Sequence, residues 1–220
     1  MPNSGASNPA TPRIAAADWP QREAALLARI QKHGPSDREA WGELLSHHQD
    51  RLFAVCMRMV GREAAADLTQ DAMVKILQGL EGYDGRSQLS TWMIRIAMNA
   101  CLSWLRAQKH RRHKALESVD SGSIRSLGTE GRSGELSPGP GVQRDERHLA
   151  VSAALAELPD DQRAILVLRD VQGLEYEQIG LVLEVAVGTV KSRLFRARLA
   201  LRELVEERLN TSGKGGNEQS

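Results

Sequence analysis

Apolar side chains recur every three or four positions in runs broken by short polar or glycine-containing stretches, the period of helices that bury one face. The pattern predicts a short amphipathic helix over 21–32, halted by Gly34-Pro35. Ser36 or Asp37 then caps a longer one that turns Trp41, Leu44, Leu45, Leu52, Val55, Cys56 and Met59 to one side and ends at Gly61. A third, over 62–78, is expected to bury Leu68, Ala72, Met73, Ile76 and Leu77. A fourth, opened by Ser90 and running to about Arg112, is expected to bury Met93, Ile96, Ala97 and Ala100. The pattern then lapses and resumes with Val151, Ala154, Leu155 and Leu158. Pro159, Asp160 and Asp161 open the next helix, which ends at Gly173.

The stretch 173–202 predicts two helices joined by a turn. Ile179, Val182 and Leu183 mark the first; Val190, Leu194, Ala197, Leu201 and Leu204 form a stripe on the second. Gly180 allows a close crossing and Val190, ten residues on, fills the angle, as a helix-turn-helix requires. Opposite the stripe lie Ser192, Phe195 and Arg196, flanked by Lys191, Arg198 and Arg202. Between Lys191 and Arg202 there are five basic residues and no acid. A cationic face carrying an exposed ring, behind such a turn, suits the DNA major groove. Two local rules are broken. Glu184 stands where the turn favours Gly or Asn, and Glu175 stands at the cap, with Gln178 completing a partial capping box.

Net charge is only +1, so charge informs through its distribution. Seven Lys or Arg and no acid lie between Arg86 and Lys114, whereas 155–184 holds seven acids against two Arg. Such segregation suits a chain that meets both a nucleic acid and a protein. Cys56 and Cys101, far apart and without His or Cys at ligand spacing, read as buried thiols rather than a disulfide or zinc site. His47 and His48 are adjacent on a helix and so do not face one metal. No apolar run approaches the length of a membrane span and no signal peptide opens the chain, which predicts a soluble cytoplasmic protein. No nucleophile–base set, phosphate loop or ligand cluster is present, so neither an enzyme nor a cofactor is expected.

The 83–104 stretch holds two of the four tryptophans and one of the two tyrosines. Trp104 reads as core. Tyr83 and Trp92, with Arg86, Arg95 and Asn99, read as a platform that stacks an unpaired base and holds phosphates. Asp67, Gln70 and Asp71 cluster on the preceding helix beyond what pairing with a helix dipole requires.

DLTQD at 67–71, YDGRSQLSTWMIRIAMNACLSWLR at 83–106, LPDDQRAILVLRD at 158–170 and YEQIGLVLEVAVGTVKSRLFRARLALREL at 176–204 resemble the extracytoplasmic-function group of the bacterial sigma-70 family. The resemblance spans about 165 of the 220 residues. It implies an all-α chain of two small helical domains, a region 2 bundle and a region 4 helix-turn-helix, on a flexible linker. It further implies that Asp67, Leu68, Gln70 and Asp71 dock on the coiled coil of the polymerase clamp. The 83–99 segment would open the −10 element, while Lys191, Ser192, Phe195 and Arg196 would read the −35 element. The family usually places an acid before the first aspartate of the docking motif; Ala66 stands there instead and points to weaker docking. The expected organisation is a partly disordered extension over 1–35, region 2 over 36–113, a linker over 114–148, region 4 over 149–208 and a disordered tail over 209–220. Within that linker, 14 of the 24 residues over 118–141 are Gly, Ser or Pro. Core RNA polymerase and promoter DNA are the implied partners, and an anti-sigma factor remains an open one. A stand-alone helix-turn-helix regulator is the competing reading; the basic, aromatic segment at 83–112 speaks against it, because a sensor domain needs none.

Overall fold

The computed structural model describes residues 18–117 and 142–214, with side chains for 18–115 and 149–210. Every regular element in this part is helical: α1 (Trp19–His33), α2 (Arg38–Val60), α3 (Arg62–Gly79), α4 (Leu89–Glu117), α5 (Val142–Glu157), α6 (Asp160–Leu166), α7 (Tyr176–Leu183) and α8 (Val187–Lys214). Short 3-10 turns at Gly34–Ser36 and Leu80–Gly82 and a π-helical turn at Val167–Val171 complete the set. The disorder expected up to about residue 18, the part of the expected 209–220 tail after 214, and the linker composition over 118–141 lie outside the described residues, whereas 209–214, expected to be disordered, continue α8. α4 continues past Arg112 to Glu117 and α5 begins at Val142, so helix occupies both margins of the expected linker.

The described residues fall into two units, divided between His48 and Gln49. In the first, α1 stops where glycine permits it, at Gly34 with φ 61°. Asp37 caps α2 by accepting the Ala40 N–H at 3.1 Å, and the Arg29 guanidinium grips the same carboxylate at 2.9 and 3.0 Å. That grip, followed by the Ala40 bond, holds the Asp37 carboxyl below its usual range. The adjacent histidines meet edge-on, ring centres 5.1 Å apart, but take different partners. His47 stacks on Trp19, and buried His48 bonds Glu23 through Nε2 at 2.9 Å.

In the second unit, α3 packs on α4, and Leu52, Val55, Met59, Ala65, Leu68, Ala72, Ile76, Met93, Ile94, Ala97 and Met98 are buried. Two expectations change here. Ile94 and Met98 are fully buried while Ile96 is only partly so, a small rotation of α4 about its axis. Leu77 is 40% exposed because it stands seven positions after Gln70, on the outward face of α3. Cys56 and Cys101 are free, buried thiols, yet not far apart in space: the Cys101 thiol is directed to the Cys56 sulfur. Donation from Cys101, helped by Thr69, brings Cys56 down to about 7; the same bond and burial push Cys101 up.

α8 is embraced by α5, α6 and α7. From Arg163 to Leu168 every residue is buried, so this helix is enclosed on all sides rather than along one stripe. Arg163 is the exception in kind. Its guanidinium donates to the carbonyls of Leu155, Ala156 and Leu158, capping the C-terminus of α5, and to Met59 O at 2.6 Å. Burial pulls its pKa down, opposed by Asp160.

Candidate nucleic-acid interface

The turn between α7 and α8 sets the pose of the recognition helix. Any Cβ on Gly180 would stand 2.9 Å from Val185 O, closer than such contacts allow, so the crossing requires glycine. Glu184 takes the left-handed conformation, φ 56° and ψ 45°, and lets the Val185 N–H return to Gly180 O at 3.0 Å. At the other end of α7, Gln178 Oε1 accepts the Glu175 N–H at 2.9 Å, the reciprocal half of a capping box. The two unorthodox residues of the sequence thus both fit their local geometry.

Val190, Leu194 and Ala197 are buried, which turns Lys191, Ser192, Phe195 and Arg196 to solvent. Phe195 is 72% exposed, the most exposed large apolar side chain among the described residues. Ser192 Oγ bonds Thr189 O, and Arg196 Nε reaches Ser192 O at 3.4 Å, leaving the rest of that guanidinium outward. The flanking cations differ. Arg198 pairs with Asp170 and Arg202 with Glu206, so both are held within the domain, and each acid raises its partner's pKa. Lys191 Nζ lies 5.8 Å from the centre of the Tyr176 ring, which Arg169 also faces at 4.9 Å. The sequence reading passed over Tyr176; its four-residue spacing from Gly180 at the start of α7 was the available signal.

The second surface lies on α4 and the loop before it. Tyr83 and Trp92 sit 5.4 Å apart, tilted at 50°, and both are half-buried. The Tyr83 hydroxyl donates to Ser87 O, and the Trp92 ring lies against Gly79, 3.3 Å from where a Cβ would stand. Asp84 accepts the Arg86 N–H at 3.1 Å and pairs with its side chain, with Gly85 at φ 72° between them. Trp92, Arg95 and Asn99 share one face of α4 by their spacing, and Arg95 and Asn99 are exposed. Arg95 is engaged: its Nη2 lies 2.5 Å from Glu184 Oε1, in the turn of the helix-turn-helix.

On α3, Asp67, Gln70 and Asp71 project outward, joined on the same face by Val74, 49% exposed. Leu68 does not belong with them. It is 7% exposed and forms part of the core beneath. The apolar pattern of α3 puts it in the core, whereas the family motif groups it with its polar neighbours.

Comparison with known proteins follows the same division. The family model for sigma-70 region 2 matches residues 44–111, and that for sigma-70 region 4 matches 148–201. The chain is 30% identical over 185 residues to the ECF RNA polymerase sigma-E factor of Haemophilus influenzae, covering 84% of this chain and 94% of that one. It is 32% identical over 182 residues to the Escherichia coli K12 protein of the same description, covering 82% and 93%. Among solved structures, the sigma factor RpoE in complex with the anti-sigma factor NepR from Bartonella quintana is similar at a TM-score of 0.54. That match has 26% identity and covers 75% of this chain and 96% of that one.

Proposed function

Because this chain belongs to the extracytoplasmic-function group of the sigma-70 family of RNA polymerase sigma factors, we propose a residue-level division of promoter recognition between its two DNA-facing surfaces. The exposed face of α8 reads the −35 element as duplex. Arg196 bridges the O6 and N7 acceptors of a guanine, Phe195 covers a thymine methyl, and Ser192 and Lys191 hold backbone phosphates. The Tyr83–Trp92 pair, with Arg86, Arg95 and Asn99, captures a base extruded from the −10 element and its flanking phosphates, offsetting an unstacking cost of a few kcal/mol. Asp67, Gln70 and Asp71 dock the whole on the clamp coiled coil of core polymerase, with Leu68 supporting them from below. In this reading region 2 spans 36–113 and region 4 spans 149–208, and the protein acts in the cytoplasm with core polymerase. An anti-sigma factor, as seen bound to the Bartonella relative, is a proposed further partner. Among the described residues no helix is long and apolar enough to cross a membrane.

The observation that carries this reading is Phe195, whose ring is 72% exposed, more than any other large apolar side chain among the described residues. Such exposure is tolerable where something apolar covers it. The test is a titration of variants against singly substituted −35 duplexes at two salt concentrations. Arg196→Ala should flatten preference at one base position, at a cost of about 1–3 kcal/mol. Lys191→Ala should weaken all sequences alike and reduce the salt dependence by about one counterion. The reverse pattern would mean the helix is rotated otherwise in the groove, and no effect from either would assign the face to a protein.

A further inference from the structure

Glu184 is the only non-glycine residue with positive φ among the described residues. Gly or Asn would occupy that conformation with less strain, so a glutamate there asks what its side chain supplies. The carboxylate does nothing for its own turn. It reaches to Arg95 on α4, 89 positions away in the chain, at 2.5 Å.

This contact heads a seam. Gln178 Nε2 on α7 donates to Gln88 Oε1 and to the hydroxyl of buried Thr91, both at 3.3 Å, at the start of α4. Farther along, Arg51 forks onto Gln172, Nε to Oε1 at 2.8 Å and Nη2 to the carbonyl at 2.9 Å. Lys109 meets Asp160 at 2.6 Å, and Arg163 meets Met59 O at 2.6 Å. In each pair one partner precedes residue 118 and the other follows 141. The recognition face of α8 takes no part in it.

We propose that this seam is an autoinhibitory latch, in which Glu184 occupies Arg95 as a stand-in for a backbone phosphate of the −10 strand. The proposal rests on the assignment of Arg95 to that strand made above. In the latched chain the guanidinium is neutralised and Gln88 and Thr91, beside the Tyr83 loop, are tied to Gln178 of α7. The −35 reading face stays open. The free protein therefore meets duplex DNA normally but captures single-stranded DNA poorly until the two domains separate. The latch is built to yield: Arg95 and Glu184 are 45% and 69% exposed, and ion pairs so exposed to water contribute little. A closed form populated about ten to one over the open form lowers apparent strand affinity about tenfold.

Two variants of the full chain test it. Gln88→Cys with Gln178→Cys places an oxidisable pair across the seam, and Glu184→Asn suits the left-handed turn while being too short to reach Arg95. The probe is a short, fluorescent, mixed-sequence single-stranded DNA at low salt, with a −35 duplex as control. The latch predicts rapid crosslinking in the free protein, loss of about tenfold or more in single-strand affinity when oxidised, and recovery with reductant. It predicts several-fold tighter single-strand binding for Glu184→Asn, unchanged duplex binding, and no such gain when Arg95→Ala is also present. Equal single-strand binding by oxidised and reduced protein overturns the latch; parent-like binding by Glu184→Asn removes Glu184 from it. If Arg95→Ala alone leaves strand binding intact, the strand assignment of Arg95 fails and the phosphate-mimic proposal falls with it. The crosslinking rate then still reports domain closure independently of DNA.

Discussion

The two surfaces proposed to face DNA are built on opposite principles. On α8, the residues proposed to meet DNA have almost no structural duty: Val190, Leu194 and Ala197 hold the helix, and Phe195 and Arg196 stand free of the core. On α4, function and packing share side chains. Trp92 fills space against Gly79, Tyr83 anchors its own loop, and Arg95 is bonded to another domain. The first surface is preformed and can be altered residue by residue. The second can be altered only with structural side effects, and under the proposed latch its readiness would depend on what region 4 is doing. A stable duplex suits the first arrangement; a base that must first be extruded suits the second.

The largest effect expected from breaking this contrast is at the turn. Gly180→Val drives a branched side chain onto Val185 O and should cost about 3 kcal/mol or more. Differential scanning calorimetry should show region 4 melting early and −35 duplex binding lost, while region 2 unfolds nearly as before. Loss of both transitions together would show that the two surfaces are not independent. Next comes Trp92→Ala, which removes a half-buried ring and should destabilise region 2 by about 2 kcal/mol. Tyr83→Phe, which deletes the bond to Ser87, should cost about 1 kcal/mol. Open-complex formation on a fully paired promoter should suffer more in both variants than on one already mismatched at −10. An equal loss on the two templates would assign these rings to folding alone.

Phe195→Ala should leave the melting temperature unchanged and weaken −35 duplex binding by about 1 kcal/mol, near fivefold, as read by fluorescence anisotropy. A shift in melting would contradict the separation of duties on α8. The smallest effect is at Glu184→Gly, where relief of the left-handed strain should raise region 4 stability by at most about 1 kcal/mol in thermal denaturation.

What could be read before the structure follows the same contrast. The helix-turn-helix was legible because its determinants are local: a stripe at helical spacing, a glycine at the crossing, and an anomaly at Glu184 that geometry then explained. α1 was legible for the same reason, with Gly34 ending it. Contacts between distant segments were not. Nothing in the chain pairs Arg95 with Glu184, Arg51 with Gln172 or Arg163 with Met59, since each partner lies outside any local period. Leu77 was misplaced for a subtler reason. In an apolar-rich helix such as α3 the stripe is broad, and a one-position error in its centre exchanges a core side chain for a surface one.

The thiol pair of the region 2 core gives this protein an internal clock. Cys56 on α2 and Cys101 on α4 are both fully enclosed, so a thiol reagent can reach them only when the bundle opens. In the native protein the labelling rate is then the opening equilibrium multiplied by the intrinsic reactivity of an exposed cysteine. Neither substitution nor attached dye is needed for the measurement. Following that rate as core polymerase, promoter DNA or an isolated clamp fragment is added would report how each partner loosens or tightens region 2, molecule by molecule, at equilibrium and without denaturant.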